Sequence, residues 1–142
     1  MSIHNIYNHK LLEFISKKKC DLSNSNLDCI DENIFDFIHL EELDLSENKL
    51  KVISVSIAKL YNLKSLILSD NQLCYLPQNI SKLSNLENLY ISGNNLFELP
   101  QSIINLRNLQ WMSLCENPNL HLNKLQEKWL QELAANGCKI IL

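Results

Sequence analysis

Apolar residues return along this chain on a fixed step of 23. Leu40, Leu63, Leu86 and Leu109 open successive frames. Three and five residues further on come Leu43 and Leu45, Leu66 and Leu68, Leu89 and Ile91, and Met112 and Leu114. Polar residues mostly separate them, an alternation of period two that predicts a short β-strand with one face turned inward. Eight residues after each opening stands an asparagine: Asn48, Asn71, Asn94 and Asn117. Leu50, Leu73 and Leu96 follow, then Ile53, Leu76 and Leu99, then Ile57, Ile80 and Ile103, and the frame closes on Leu60, Leu83 and Leu106.

One such unit cannot bury its apolar face alone, so units stack and their strands form a parallel sheet. Each asparagine falls where the chain leaves its strand, and an amide that both donates and accepts can satisfy its own turn and the adjacent one. Pro77 and Pro100 fix φ at the start of the return segment. Each buried leucine contributes about 1.5–3 kcal/mol, enough for the repeating positions to carry the fold. A weaker copy lies upstream at Cys20, Leu22, Ser25, Leu27, Ile30, Ile34 and Phe37, and Tyr7, Leu11 and Phe14 supply only the second half of a unit. Residues 1–16 are therefore expected to form a helical N-terminal cap, and 17–121 about five repeats. Leu122, Leu125, Trp129 and Leu133 recur at helical spacing before an Asn136-Gly137 stop. With Cys138–Leu142 as a last strand or apolar plug, 122–142 form a C-terminal cap, and 1–142 is expected to be one domain.

The pattern LxxLxLSxNxLxxLPxxIxxLxN resembles the leucine-rich repeat family, most nearly its 23-residue Ras-interacting, scribble-like class. The resemblance covers about residues 17–125 and departs at Lys17, Ser25 and the late Leu120. It implies an α/β solenoid with a parallel sheet on the concave face, short helical, 3-10 or extended segments on the convex face, and helical caps. It also implies protein–protein binding, without naming a partner.

Composition narrows the field further. A net charge of −3 and a single arginine, Arg107, leave no basic face for nucleic acid. No apolar run approaches the ~20 residues of a membrane span. The N-terminus has no signal-peptide pattern, so the five cysteines read as free thiols of a cytoplasmic protein. The Asn79-Ile80-Ser81 triplet would then carry no glycan. Lys17, Lys18 and Lys19 would keep the first strand from pairing edge to edge. The four histidines are scattered, and the chain has none of the common catalytic or phosphate-binding motifs. Cys115 with His121 lacks an orienting third group. Neither an enzyme, such as part of a ubiquitin ligase, nor a metal or other cofactor is expected.

Binding is expected on the outward strand positions. Glu41, Glu42, Asp44 and Glu47 make the second strand acidic, while Ile67, Tyr90 and Trp111 put apolar groups on the next three. Asp70 and Glu116 continue the column of Glu47. Solvent-facing strand positions have no folding reason to be aromatic, and contiguous exposed apolar groups mark interaction sites. Trp111 has a second possible role, packing against the C-terminal cap. The candidate site is thus Glu42, Asp44, Glu47, Ile67, Asp70, Tyr90, Trp111 and Glu116. The expected ligand is a protein segment with an apolar anchor and basic groups. Five strands project roughly 400 Å², which suits a peptide, a loop or a small domain bound by a monomer. A second reading is a pathogen or viral effector that sequesters a host signalling protein, since abundant Asn, Ile and Lys fit an AT-rich genome.

Overall fold

The computed structural model describes residues 18–142, so the predicted N-terminal cap lies outside the described residues. Six parallel strands form one sheet in sequence order. They are β1 (Lys19–Asp21), β2 (Glu42–Asp44), β3 (Ser65–Ile67), β4 (Asn88–Tyr90), β5 (Trp111–Ser113) and β6 (Lys139–Ile141). Lys19, Glu42, Ser65, Asn88 and Trp111 stand side by side, each exactly one frame on from its neighbour. The step from Trp111 to its partner Lys139 is longer than a frame, because helix α1 (Lys124–Ala135) intervenes. The central residue of β1 to β5 points into the core, and Cys20, Leu43, Leu66, Leu89 and Met112 are all buried.

The return segments Glu32–Asp36, Val55–Lys59, Gln78–Lys82 and Gln101–Asn105 are single 3-10 turns. Their starts are fixed in two ways. Asp31 and Ser54 accept the N–H of Asn33 and Ser56, whereas Pro77 and Pro100 set φ at −68° and −59°. Ile34, Ile57, Ile80 and Ile103 turn inward from these segments to meet the strand leucines in one core.

The asparagines do what their position predicts. Asn71 Nδ2 donates to the carbonyls of Leu45, Leu68 and Ser69 at 2.9–3.2 Å, and its Oδ1 accepts the N–H of Leu50 at 3.0 Å. Asn48, Asn94 and Asn117 repeat the arrangement, so each buried amide ties its turn to the preceding one. A second ladder closes each frame, with Asn62, Asn85 and Asn108 donating to the carbonyls of Ile38, Tyr61 and Ser84.

Three positions differ from the expected pattern. Leu125 is 67% exposed, and the inward place on α1 belongs to Gln126, 1% exposed. Gln126 completes a capping box with Asn123 and donates Nε2 to the Leu99 carbonyl at 2.9 Å, so its burial costs no lost hydrogen bond. Ser113, expected outward, is buried beside Ser92. Phe35, outside the repeating positions, is fully buried. The helix otherwise packs as its spacing predicts: Trp129 and Leu133 are buried, and Trp129 Nε1 donates to the Leu106 carbonyl at 3.1 Å.

Candidate functional site

With the central residue of each strand inward, the first and third residues face out. The strand register puts Ile67 beside Tyr90, and Asp44 on the other side of Ile67. Trp111 lies diagonally across from Tyr90, one strand on, with the ring centroids 6.3 Å apart and the planes inclined at 33°. Such a tilted pair is favourable beyond its buried area. Trp111 is half-buried, and the Lys139 ammonium of β6 lies 5.4 Å from its ring centroid. The tryptophan therefore rests on the last strand and still presents a face outward.

The acidic side of the face is less bare than its sequence implies. Glu41 sits between Lys18 at 2.6 Å and Lys64 at 2.9 Å, and Glu42 pairs with Lys19 at 2.9 Å. The two lysine hydrogen bonds hold the Glu41 carboxyl down at about 2, well below its ordinary value. Glu41, with Glu87 as a lesser contributor, raises the pKa of Lys64 in turn. Lysines on the flanking frames thus neutralise two of the four carboxylates. Asp44 accepts the Ser46 hydroxyl at 2.6 Å and the Ser46 N–H at 2.9 Å. Ser23 makes the same two contacts to Asp21, which gives the serine column a local bonding role at these two frames.

Glu47, Asp70 and Glu116 occupy a distinctive place. With Asn24 and Gly93 they form the eighth-position column, and all five have φ between +47° and +64°. The frame demands this left-handed turn just past the strand. Only glycine, and to a lesser degree asparagine and aspartate, adopts it easily. The glutamates at positions 47 and 116 hold it at a conformational cost, which the Asn48 and Asn117 ladders override.

Sequence patterning missed Lys139 and Ile141, because the longer step into β6 breaks the register that reveals the other columns. It also missed a shallow pocket of about 540 Å³ beside Trp111, lined in part by Asn88, Gln110, Gly137, Cys138 and Lys139. A further pair, Tyr75 and Phe97, stands exposed away from the strands with ring centroids 6.0 Å apart. The only hint was that both follow the turn asparagine, where the frame leaves side chains outward. Among the described residues no three His, Cys, Asp or Glu side chains group to hold a metal ion. None of the described helices is long and apolar enough to cross a membrane.

A leucine-rich repeat region family matches residues 21–139. A leucine-rich repeat protein of Leptospira interrogans is similar in structure, with 26% identity, a TM-score of 0.67, and 89% of this chain and 43% of that one covered. The ectodomain of the receptor kinase SOBIR1 from Arabidopsis thaliana has the same identity and TM-score, over 85% of this chain and 66% of that one. The ectodomain of the Arabidopsis thaliana receptor kinase GASSHO1/SCHENGEN3, in complex with CASPARIAN STRIP INTEGRITY FACTOR 2, is 32% identical with a TM-score of 0.62, covering 73% and 13%. The chain thus spans less than half of the Leptospira protein and about two thirds of the SOBIR1 ectodomain. No curated protein sequence matches it. With the family match extending over most of the chain and the asparagine-bound repeating frames observed directly, this protein belongs to the leucine-rich repeat family.

Proposed function

We propose that this protein is a non-catalytic interaction module that captures a protein segment on the outer face of its sheet. The observation that carries the reading is the Tyr90–Trp111 pair, two aromatic rings held in contact at outward positions where the fold requires none. Ile67 extends the apolar strip, and Asp44, Glu47 and Asp70 on the neighbouring frames offer carboxylates to basic groups. Glu42 ranks lower, since Lys19 already holds it, and Glu116 flanks the aromatic end. Leucine-rich repeat domains generally mediate protein–protein interaction, and the GASSHO1/SCHENGEN3 ectodomain is a neighbour solved with a bound factor. The unvarying step between β1 and β5 supports assignment to the Ras-interacting, scribble-like class, and the chain is read as one monomeric, cytoplasmic domain without nucleic-acid partners. The test is the double variant Tyr90→Ala, Trp111→Ala. Circular dichroism should be unchanged and capture of wild-type partners lost; undiminished capture by the folded variant would place the site elsewhere.

The effector role is a second proposal, favoured by the Asn-, Ile- and Lys-rich composition. A secretion assay in the native source decides the cellular-pathogen case and genomic context the viral one; a cellular gene whose product stays inside the producing cell would exclude both.

A further inference from the structure

The charges on the sheet face are distributed unevenly. Lys18 and Lys64 are paired with Glu41, and Lys19 with Glu42. Lys139 is different: it lies over the Trp111 ring and has no carboxylate within ion-pair distance among the described residues. Beside it the pocket of about 540 Å³ opens between β5 and the end of α1. Gly137 lies on the open side of that cleft, since a side chain begun there would meet nothing within 4 Å. The lining brings amide donors from Asn88 and Gln110, and the buried Cys138 thiol, whose pKa burial raises, adds no negative charge.

We infer that this pocket receives an acidic residue of the bound segment, with an adjacent apolar residue seated on Tyr90 and Trp111. The inference rests on the proposed use of the sheet face and names the chemistry of its ligand. An ammonium without a carboxylate, next to amide donors and a clear cleft, suits an incoming carboxylate. It does not suit a basic group, which Lys139 would repel. The face then reads its ligand by charge in two directions, a carboxylate at the β6 end and basic groups toward Asp44, Glu47 and Asp70.

A random peptide library displayed on phage, panned against wild-type protein, Lys139→Gln, Lys139→Glu and Tyr90→Ala/Trp111→Ala, tests this directly. Wild type should enrich peptides with Asp or Glu adjacent to an aromatic or aliphatic residue. Lys139→Gln should weaken a synthetic copy of the selected peptide about fivefold and Lys139→Glu more than about tenfold. Lys139→Glu should itself select Lys or Arg at the acidic position. Peptides that need Tyr90 and Trp111 but show no acidic preference, or the same preference with Lys139→Glu, overturn the pocket's role and leave the sheet face standing. If wild type selects nothing, or its peptides bind the Tyr90→Ala/Trp111→Ala variant undiminished, the sheet-face reading fails and this inference with it. The Lys139 side chain is exposed and packs on Trp111, so a lost signal in that variant is checked for folding by circular dichroism.

Discussion

The turn past each strand shows how a single residue type is chosen by backbone and by neighbours at once. The buried amides of Asn71 and Asn94 each satisfy three carbonyls and one N–H, so removing one strands several polar groups away from water. Asn71→Ala should lower the unfolding free energy by about 2–4 kcal/mol in urea titrations. One residue earlier the requirement is conformational. Glu47 holds φ at +54°, so Glu47→Gly should stabilise the protein by about 0.5–1 kcal/mol by removing that strain. Gly93→Ala should do the reverse, because an added side chain would run into the Asp70 carboxylate as well as an unfavourable φ of +64°. Glu41 gives a residue-scale pH effect. Its carboxyl is depressed from 4.5 to about 2 in the fold, so its stabilisation is present above pH 4.5 and lost as pH falls toward 2. The melting temperature of wild type should therefore drop over that window, Glu41→Gln should drop less, and high salt should shrink the difference.

At the scale of elements, 3-10 turns and strands this short do not stand alone. Neighbouring turns stack on each other, and β1 to β5 hydrogen-bond to one another across a full frame of sequence. Helix α1 is the exception, with its own capping box and a buried Gln126 that reaches back to Leu99. Gln126→Ala should cost about 1–3 kcal/mol and raise hydrogen-exchange rates in α1 and β6 more than in β2. Equal acceleration in all strands would mean that the helix is not a separately anchored end. The placement of α1 was legible from Trp129 and Leu133, but not the identity of its inward residues. Helical spacing marked Leu125 for burial, whereas the capping box rotates Gln126 in and leaves Leu125 exposed. Periodicity sees apolarity, not a polar side chain whose hydrogen bonds are met inside.

Through all the described residues one core runs along the stack, and the sheet's outer face is the surface that core does not use. Leu66→Ala at the centre of the stack should cost about 2–5 kcal/mol, while Tyr90→Ala with Trp111→Ala, removing two half-buried rings and their mutual contact, should cost about 1–2 kcal/mol, keep the fold and abolish binding. Chemical denaturation beside a binding assay separates these effects.

The sequence by itself determined the frame, the strand positions, the inward leucines and the turn asparagines, because each depends on residues a fixed step apart. It also placed Ile67, Tyr90 and Trp111 outward, since the side-chain alternation of a strand is a local property. Tertiary structure alone decided the electrostatics and the edges. Glu41 and Glu42 are acidic in the sequence, but lysines on the flanking frames neutralise them once the strands lie side by side. Ser113 gains Ile141 as a flank opposite Tyr90, and Lys139 arrives over Trp111, because β6 returns from beyond the helix, off the repeating step, to close the sheet beside β5. Local patterning records which way a side chain points; what it meets there depends on a neighbour that only the assembled sheet supplies.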